Sequence, residues 1–234
     1  MMVKLRRIFS NRDDLTKMVV GFMAFCTVLG LVLQALRSLN SPYPIEYFFI
    51  NFIYFTTQSN ILVLILLILH FKRSKNYTIY DIFIHIALLN IIMTGAVFHL
   101  VLGPYMELTL VQHILHTITP LLFLFYYFVI YDKTFKLKYL ETLFIYPIVY
   151  TILVYTVIEP KLGDTLELVQ GDFQGARYIY PFYDPFFYDF NILRMLQFFF
   201  YSTALIITLV MVLTQPTKRY IERKINEDNP NSRN

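Results

Sequence analysis

Long apolar stretches separated by short polar connections dominate the sequence. Six stretches reach about 20 residues, the length that a helix needs to cross about 30 Å of hydrocarbon. They cover approximately residues 18–36, 48–71, 80–102, 109–131, 138–158 and 190–214. Each run is too long for a barrel strand and lacks alternation, so each predicts a helix whose backbone hydrogen bonds are satisfied internally. We therefore expect an all-α, polytopic membrane protein with six transmembrane helices.

Composition and connection lengths indicate a single membrane domain. The 234 residues are 57% hydrophobic and only 15% charged, which is too little charge to cover a soluble domain of this length. We expect the domain to occupy residues 1–216, with an outer loop at 159–189 and a polar cytoplasmic tail at 217–234. That tail is expected to be disordered. The first apolar run is too long for a signal peptide, so we expect it to be retained.

Basic residues are concentrated in the two tails and in every second connection between the predicted helices. The tail before residue 18, the connections near 72 and 133, and the tail after 214 hold most of the 20 Lys and Arg residues. The loop 159–189 is instead rich in acidic residues. The positive-inside rule therefore predicts that both termini are cytoplasmic. Because topology accounts for the net charge of +4, we expect no nucleic-acid partner.

Polar side chains inside the predicted helices concentrate in the half that faces outward. They belong to the stretch 56–60 and to His99, Gln112, His113, His116, Thr117, Thr119, Asp189, Asn191, Arg194 and Gln197. The inner half is nearly all Leu, Ile, Val and Phe. Since polar groups are costly in hydrocarbon and tend to face a bundle interior or cavity, this distribution predicts a polar pocket open toward the outer side.

Helical spacing places several of these groups on common faces. Thr56, Ser59 and Asn60 share one face of the second helix. Gln112 and His116 share one face of the fourth helix. Purely structural roles remain open, because Thr hydroxyls often bond to their own helix and polar amides join helices within membranes.

A hydroxyl and an imidazole at the same depth suggest nucleophilic catalysis. Thr56 would attack an ester carbonyl, and His116 would accept its proton and return it to the leaving alcohol. Asn60, Gln112 or a second hydroxyl would orient the imidazole or stabilise the oxyanion. No acidic residue lies at matching depth, so the sequence predicts a dyad.

A metal centre is the competing chemistry. His99, His113 and His116 lie at one predicted level, and three imidazoles with a water molecule would suit a catalytic zinc ion. No H-E-x-x-H motif or carboxylate cluster accompanies them, and Cys26 is the only cysteine. We therefore expect neither a metal nor another cofactor.

Three local motifs occur in order along the chain: YFTTQSN at 54–60, HILHTITP at 113–120 and YPFYD at 180–184. With the predicted topology, they resemble the androgen-induced-gene family of six-helix membrane proteins, and in particular its bacterial members. The animal members are threonine hydrolases that cleave fatty-acid esters of hydroxy fatty acids. The resemblance implies that His116 is the base and that Tyr180 belongs to a supporting segment. It favours Thr56 over Thr57 as the nucleophile, although the residues alone leave both open.

The leading hypothesis is an intramembrane hydrolase of fatty-acid esters of hydroxy fatty acids or a related lipid ester. The alternative is a non-enzymatic lipid-binding membrane protein or a small transporter. Expected partners are the lipid bilayer and a lipid substrate, and the expected location is a cell membrane, specifically the bacterial plasma membrane. The proposed supporting or substrate-binding residues are Ser59, Asn60, His99, Gln112, His113, Tyr180, Asp184 and Arg194.

Overall fold

A computed structural model describes residues 1–10, 12–71, 78–102, 108–134, 136, 139–171 and 175–228. Within these ranges all regular secondary structure is helical, which confirms the all-α fold class. The main helices are α1 (Met2–Ser10), α2 (Asp13–Leu39), α3 (Pro44–Asn51), α4 (Phe55–His70), α5 (Thr78–Val97, continued by a π-helical turn at Phe98–Leu102), α6 (Leu110–Ile130), α7 (Thr142–Gln170) and α8 (Ile192–Asp228).

Five helices in the described part of the chain, α2, α5, α6, α7 and α8, are long and apolar enough to cross a membrane. Helices α3 and α4 pass the same test together, but they are bent by 59° at the break between them. The count is therefore five, or six if the bent pair is one span. The expected uninterrupted second helix at 48–71 is consequently replaced by two shorter helices with a sharp bend.

Two helices extend into segments that the sequence predicted to be loop or tail. Helix α7 continues to Gln170 and ends at Gly171, whose φ of 91° and ψ of 171° depart from the helical values and suit a residue without a Cβ atom. Helix α8 continues to Asp228, because Lys218 and Ile221 are buried on its inner face. Residues 229–234 of the predicted tail lie outside the described ranges.

The two ends of the chain meet at one end of the bundle. The Arg6 guanidinium on α1 forms a 2.7 Å ion pair with Glu222 near the end of α8. We call this the terminal end and the opposite one the loop end. At the loop end, short 3₁₀ helices at Ala176–Tyr178, Pro181–Tyr183 and Pro185–Tyr188 form an aromatic cap. The cap packs on the bundle through Tyr183, whose ring stacks on Phe199 of α8 at 4.7 Å.

The terminal end contains a buried polar cluster where the sequence predicted an apolar inner half. Lys218 is fully buried, and its ammonium donates to the main-chain oxygens of Tyr127, at 2.6 Å, and Tyr131. Arg6 donates to the Tyr131 oxygen as well. The last carbonyls of a helix lack intrahelical N–H partners, so these two cations supply the donors that the end of α6 requires.

Candidate active site

The bend between α3 and α4 places Thr56 at the loop end of the bundle. Thr56 is the second residue of α4. The residue before the helix, Tyr54, is extended, with a ψ of 133°, and its side chain forms no capping hydrogen bond. The first N–H groups of a helix have no intrahelical acceptor. Thr56 therefore lies beside main-chain donors that the helix itself does not use.

His116 lies in an irregular part of α6. The segment Ile114–Ile118 forms a π-helical turn, a feature that occurs frequently at functional sites. Pro120 follows four residues after His116 and cannot supply the N–H that a regular helix would give to the His116 carbonyl. The imidazole stacks on the ring of Phe98 at 4.0 Å, and Phe98 belongs to the π-helical turn of α5.

The Thr56 hydroxyl and the His116 imidazole are within hydrogen-bonding distance. Thr56 Oγ1 lies 3.2 Å from His116 Nε2, and His116 Nδ1 lies 3.0 Å from the main-chain oxygen of Gln112. A carbonyl oxygen can only accept, so Nδ1 carries the proton and donates to Gln112. In the neutral ring Nε2 is then the acceptor, and the Thr56 hydroxyl donates to it. This is the arrangement that a general base requires.

The neighbouring Thr57 faces a different helix. Its hydroxyl lies 3.1 Å from Nε2 and 3.3 Å from Oε1 of Gln34 on α2, and Gln34 also donates to Asn51. Thr57 is buried and has no bond to His116 among the described contacts. Of the two threonines, Thr56 is therefore the one whose hydroxyl contacts the imidazole.

Three of the predicted supporting residues form hydrogen bonds on α4 and α6, the helices that carry the pair. Asn60 donates to the main-chain oxygens of Thr56 at 2.9 Å and of Leu115 at 3.2 Å, so it joins α4 to α6 next to His116. Ser59 donates to its own helix at Phe55. The Gln112 side chain forms a capping box with Thr109, while its main-chain oxygen orients His116.

Four other predicted site residues do not join the pair. His99 is exposed, and its Nε2 lies 2.8 Å from the Thr117 hydroxyl. Arg194 pairs with Asp189 at the surface, and Asp184 caps the short helix that contains Phe186. His113 does not line the cavity described below. Within the described ranges, no three His, Cys, Asp or Glu side chains lie close enough together to hold a metal ion.

An apolar cavity of about 260 Å³ opens onto the hydroxyl and the imidazole. Its lining includes Thr56, His116, Phe98, Tyr180, Tyr183 and Phe199. The sequence motifs pointed to Thr56, His116 and Tyr180. They did not point to Phe98 or Phe199, because an aromatic residue in an apolar helix carries no signal that separates cavity lining from lipid contact.

A second cavity of about 430 Å³ lies at the terminal end. Its lining is charged and includes Asp81, Lys133 and Arg219, with Asp81 and Lys133 forming a 2.6 Å ion pair. His85 also lines it, but the imidazole is engaged by the Asp81 carbonyl and the Tyr127 hydroxyl. At the loop end, by contrast, the hydroxyl and the imidazole that contact each other, those of Thr56 and His116, both line the cavity.

No protein-family model, curated protein or solved structure matches the chain.

Proposed function

We propose that the protein is an intramembrane hydrolase of lipid esters, with Thr56 as nucleophile and His116 as general base. The observation that carries this proposal is the 3.2 Å contact between Thr56 Oγ1 and His116 Nε2 at an apolar cavity. A threonine hydroxyl is a weak nucleophile unless a neighbouring base accepts its proton. The resemblance of the three sequence motifs to threonine hydrolases supports the same assignment.

The proposed topology is six crossings with both termini in the cytoplasm of a bacterial cell. The bent pair α3 and α4 counts as the second crossing in this scheme. The contact between Arg6 and Glu222 supports an even number of crossings, because it joins the two ends of the chain at one end of the bundle. The concentration of Lys and Arg at that end supports a cytoplasmic location. The cavity would then open in the outer half of the membrane.

The reaction would proceed in two stages. Thr56 Oγ attacks the ester carbonyl carbon while His116 Nε2 accepts the hydroxyl proton. As the tetrahedral intermediate collapses, the C–O bond to the alcohol breaks and His116 returns the proton to the alcohol oxygen. A water molecule then attacks the acyl-threonine while His116 accepts its proton. The bond between the acyl carbon and Thr56 Oγ breaks, His116 returns the proton to Thr56 Oγ, and the acid leaves. The Gln112 carbonyl keeps Nδ1 as the protonated nitrogen throughout.

The cavity size favours esters with a short acyl or alkyl segment at the reacting centre. At about 30 Å³ per water-sized group, a volume of about 260 Å³ accommodates about nine such groups. Apolar residues dominate its lining, which suits an aliphatic segment. A longer lipid chain would have to extend from the cavity into the bilayer.

Turnover of a medium-chain nitrophenyl ester by the detergent-solubilised protein tests this proposal. His116→Ala is expected to lower kcat by about 10²- to 10⁴-fold, the usual contribution of a general base. Thr56→Ala removes the nucleophile itself and should lower kcat at least as much. Thr57→Val and His113→Ala are matched controls on the same helices and are expected to stay within threefold of wild type, on the order of normal surface or packing effects.

Wild-type turnover in Thr56→Ala would contradict the assignment of the nucleophile. Equal losses in Thr56→Ala and Thr57→Val would indicate that altered packing of α4, rather than chemistry at Thr56, reduces the rate. If neither the wild type nor any variant hydrolysed the ester, the non-catalytic alternative, a lipid-binding protein or transporter, would be the better explanation.

A further inference from the structure

Acyl transfer at Thr56 needs a donor for the negative charge that develops on the carbonyl oxygen. Removing one such donor from a hydrolase commonly slows the reaction by about two orders of magnitude. The amide groups that the sequence favoured for this role are engaged elsewhere. Asn60 Nδ2 bonds to the main-chain oxygens of Thr56 and Leu115, and the Gln112 side chain caps the start of α6.

Three tyrosine hydroxyls are among the side-chain donors around the cavity, those of Tyr150, Tyr180 and Tyr183. Tyr150 donates to the Ile53 carbonyl at 2.8 Å, and the Tyr183 hydroxyl lies 3.2 Å from that of Thr151. Tyr180 lines the same cavity and approaches Thr56 from the aromatic cap. Its ring contacts Tyr54 edge-to-face at 6.2 Å, directly before the turn of α4 that carries Thr56.

The backbone of the cap holds Tyr180 in this position. Ile179 has a φ of 68°, which is rare for a β-branched residue and requires the surrounding structure to maintain it. Gly175 has a φ of 89°, and a Cβ atom there would lie 2.7 Å from the Pro181 Cα atom. The Tyr180 ring also stacks on Phe182 at 5.3 Å with planes only 4° apart.

We propose that the Tyr180 hydroxyl is a further catalytic residue, which donates a hydrogen bond to the oxyanion formed during acyl transfer at Thr56. The inference rests on the proposed function. The hydroxyl lies against Thr56 and lines the same cavity, so an ester carbonyl bound at Thr56 would lie within its reach. The main-chain N–H groups of Phe55 and Thr56 donate to the Tyr180 oxygen, so they hold the hydroxyl beside Thr56 and strengthen it as a donor.

The protonation state of Tyr180 fits a donor. Burial raises the pKa of the hydroxyl to about 12, while the hydroxyl and main chain of Thr56 act in the opposite direction. The group therefore keeps its proton at neutral pH. An oxygen that is protonated and faces the nucleophile can stabilise negative charge without transferring its proton away.

Tyr180→Phe tests this role, with Tyr178→Phe as the matched control, since Tyr178 lies in the same cap but does not line the cavity. We expect Tyr180→Phe to lower kcat about 100-fold with little change in KM, because the lost bond forms only in the transition state. Tyr178→Phe should keep kcat within about threefold of wild type. Binding of an alkyl boronic acid, which forms a tetrahedral anion on the nucleophile, should weaken in Tyr180→Phe by a similar factor.

Two results separate the possible failures. If wild-type turnover depends on Thr56 and Tyr180→Phe retains it, the donor role is wrong while the hydrolase assignment stands. If turnover does not depend on Thr56, the proposed function itself fails. Should Tyr180→Phe not fold, fluorotyrosine at position 180 replaces it, because a more acidic hydroxyl must change kcat if it donates to the oxyanion.

Discussion

Gly95 on α5 gives a geometric test of the Thr56–His116 pair, because it faces the backbone of His116. A Cβ atom at position 95 would lie 3.1 Å from the His116 carbonyl oxygen and 3.6 Å from the Pro120 Cβ and Cγ atoms. The first distance is shorter than an ordinary van der Waals contact, so the His116 backbone must move by a few tenths of an ångström in Gly95→Ala.

The expected effect of Gly95→Ala on stability and on kcat follows from two opposing contributions. Replacing a helical glycine by alanine stabilises a helix by about 0.5–1 kcal/mol, so the fold should not be lost. A misplacement of about 1 Å near a reacting centre can cost about 100-fold in rate. If the logarithm of the rate scales with displacement, a shift of about 0.3–0.5 Å predicts a decrease of about 4- to 10-fold in kcat.

The assay compares ester turnover and thermal unfolding of Gly95→Ala with those of Gly21→Ala. Nothing lies within 4 Å of a Cβ atom at position 21, so that variant keeps wild-type turnover and equal or higher stability. Wild-type turnover in a well-folded Gly95→Ala protein would refute the claim that the position of His116 controls the rate. A parallel loss of rate in Gly21→Ala would refute it as well.

Three further predictions concern bonds at the two ends of the bundle. Asn60→Ala removes two buried hydrogen bonds, so it should lower the free energy of unfolding by about 1–3 kcal/mol and also reduce turnover. Thermal unfolding and ester hydrolysis measure the two effects, and unchanged values for both would contradict the bridging role. Lys218→Met should lower the free energy of unfolding by about 3–5 kcal/mol, because two buried carbonyls lose their cationic donor. The neighbouring Arg219 is exposed, so Arg219→Met should change the same quantity by less than about 0.5 kcal/mol. Because the pKa of Tyr180 is raised to about 12, the hydroxyl stays protonated above the ordinary tyrosine pKa of about 10. A pH–rate profile should therefore show no loss of turnover caused by Tyr180 up to about pH 10. A decline below pH 10 that Tyr180→Phe abolishes would contradict this prediction.

The apolar runs carried most of the information about the fold. A helix that crosses hydrocarbon must satisfy its own backbone and present an apolar surface, and both requirements are visible in the sequence. The break between α3 and α4 was not visible, because the residues from Asn51 to Tyr54 include neither glycine nor proline. The continuation of α8 past Gln215 depends on burial of Lys218 by other helices, which a polar tail sequence does not reveal.

The candidate site was partly predictable for a similar reason. Thr56 and His116 are polar groups inside apolar helices, so their depth alone marked them as unusual. Depth could not separate Thr56 from Thr57, because adjacent residues lie at nearly the same depth and the sequence does not show which neighbouring helix each side chain meets. His99 and His113 shared the predicted level of His116, but level along the bundle does not determine which helix face meets the cavity.

Mass-spectrometric location of a fluorophosphonate adduct tests the central claim most directly. The detergent-solubilised wild-type protein is labelled, digested and sequenced, together with His116→Ala and the control His113→Ala. We expect a single adduct on Thr56 in wild type and His113→Ala, and its loss in His116→Ala, because Thr56 Oγ1 donates its proton to His116 Nε2 across 3.2 Å. An adduct on Thr57, or undiminished labelling of Thr56 in His116→Ala, would contradict the proposed pair.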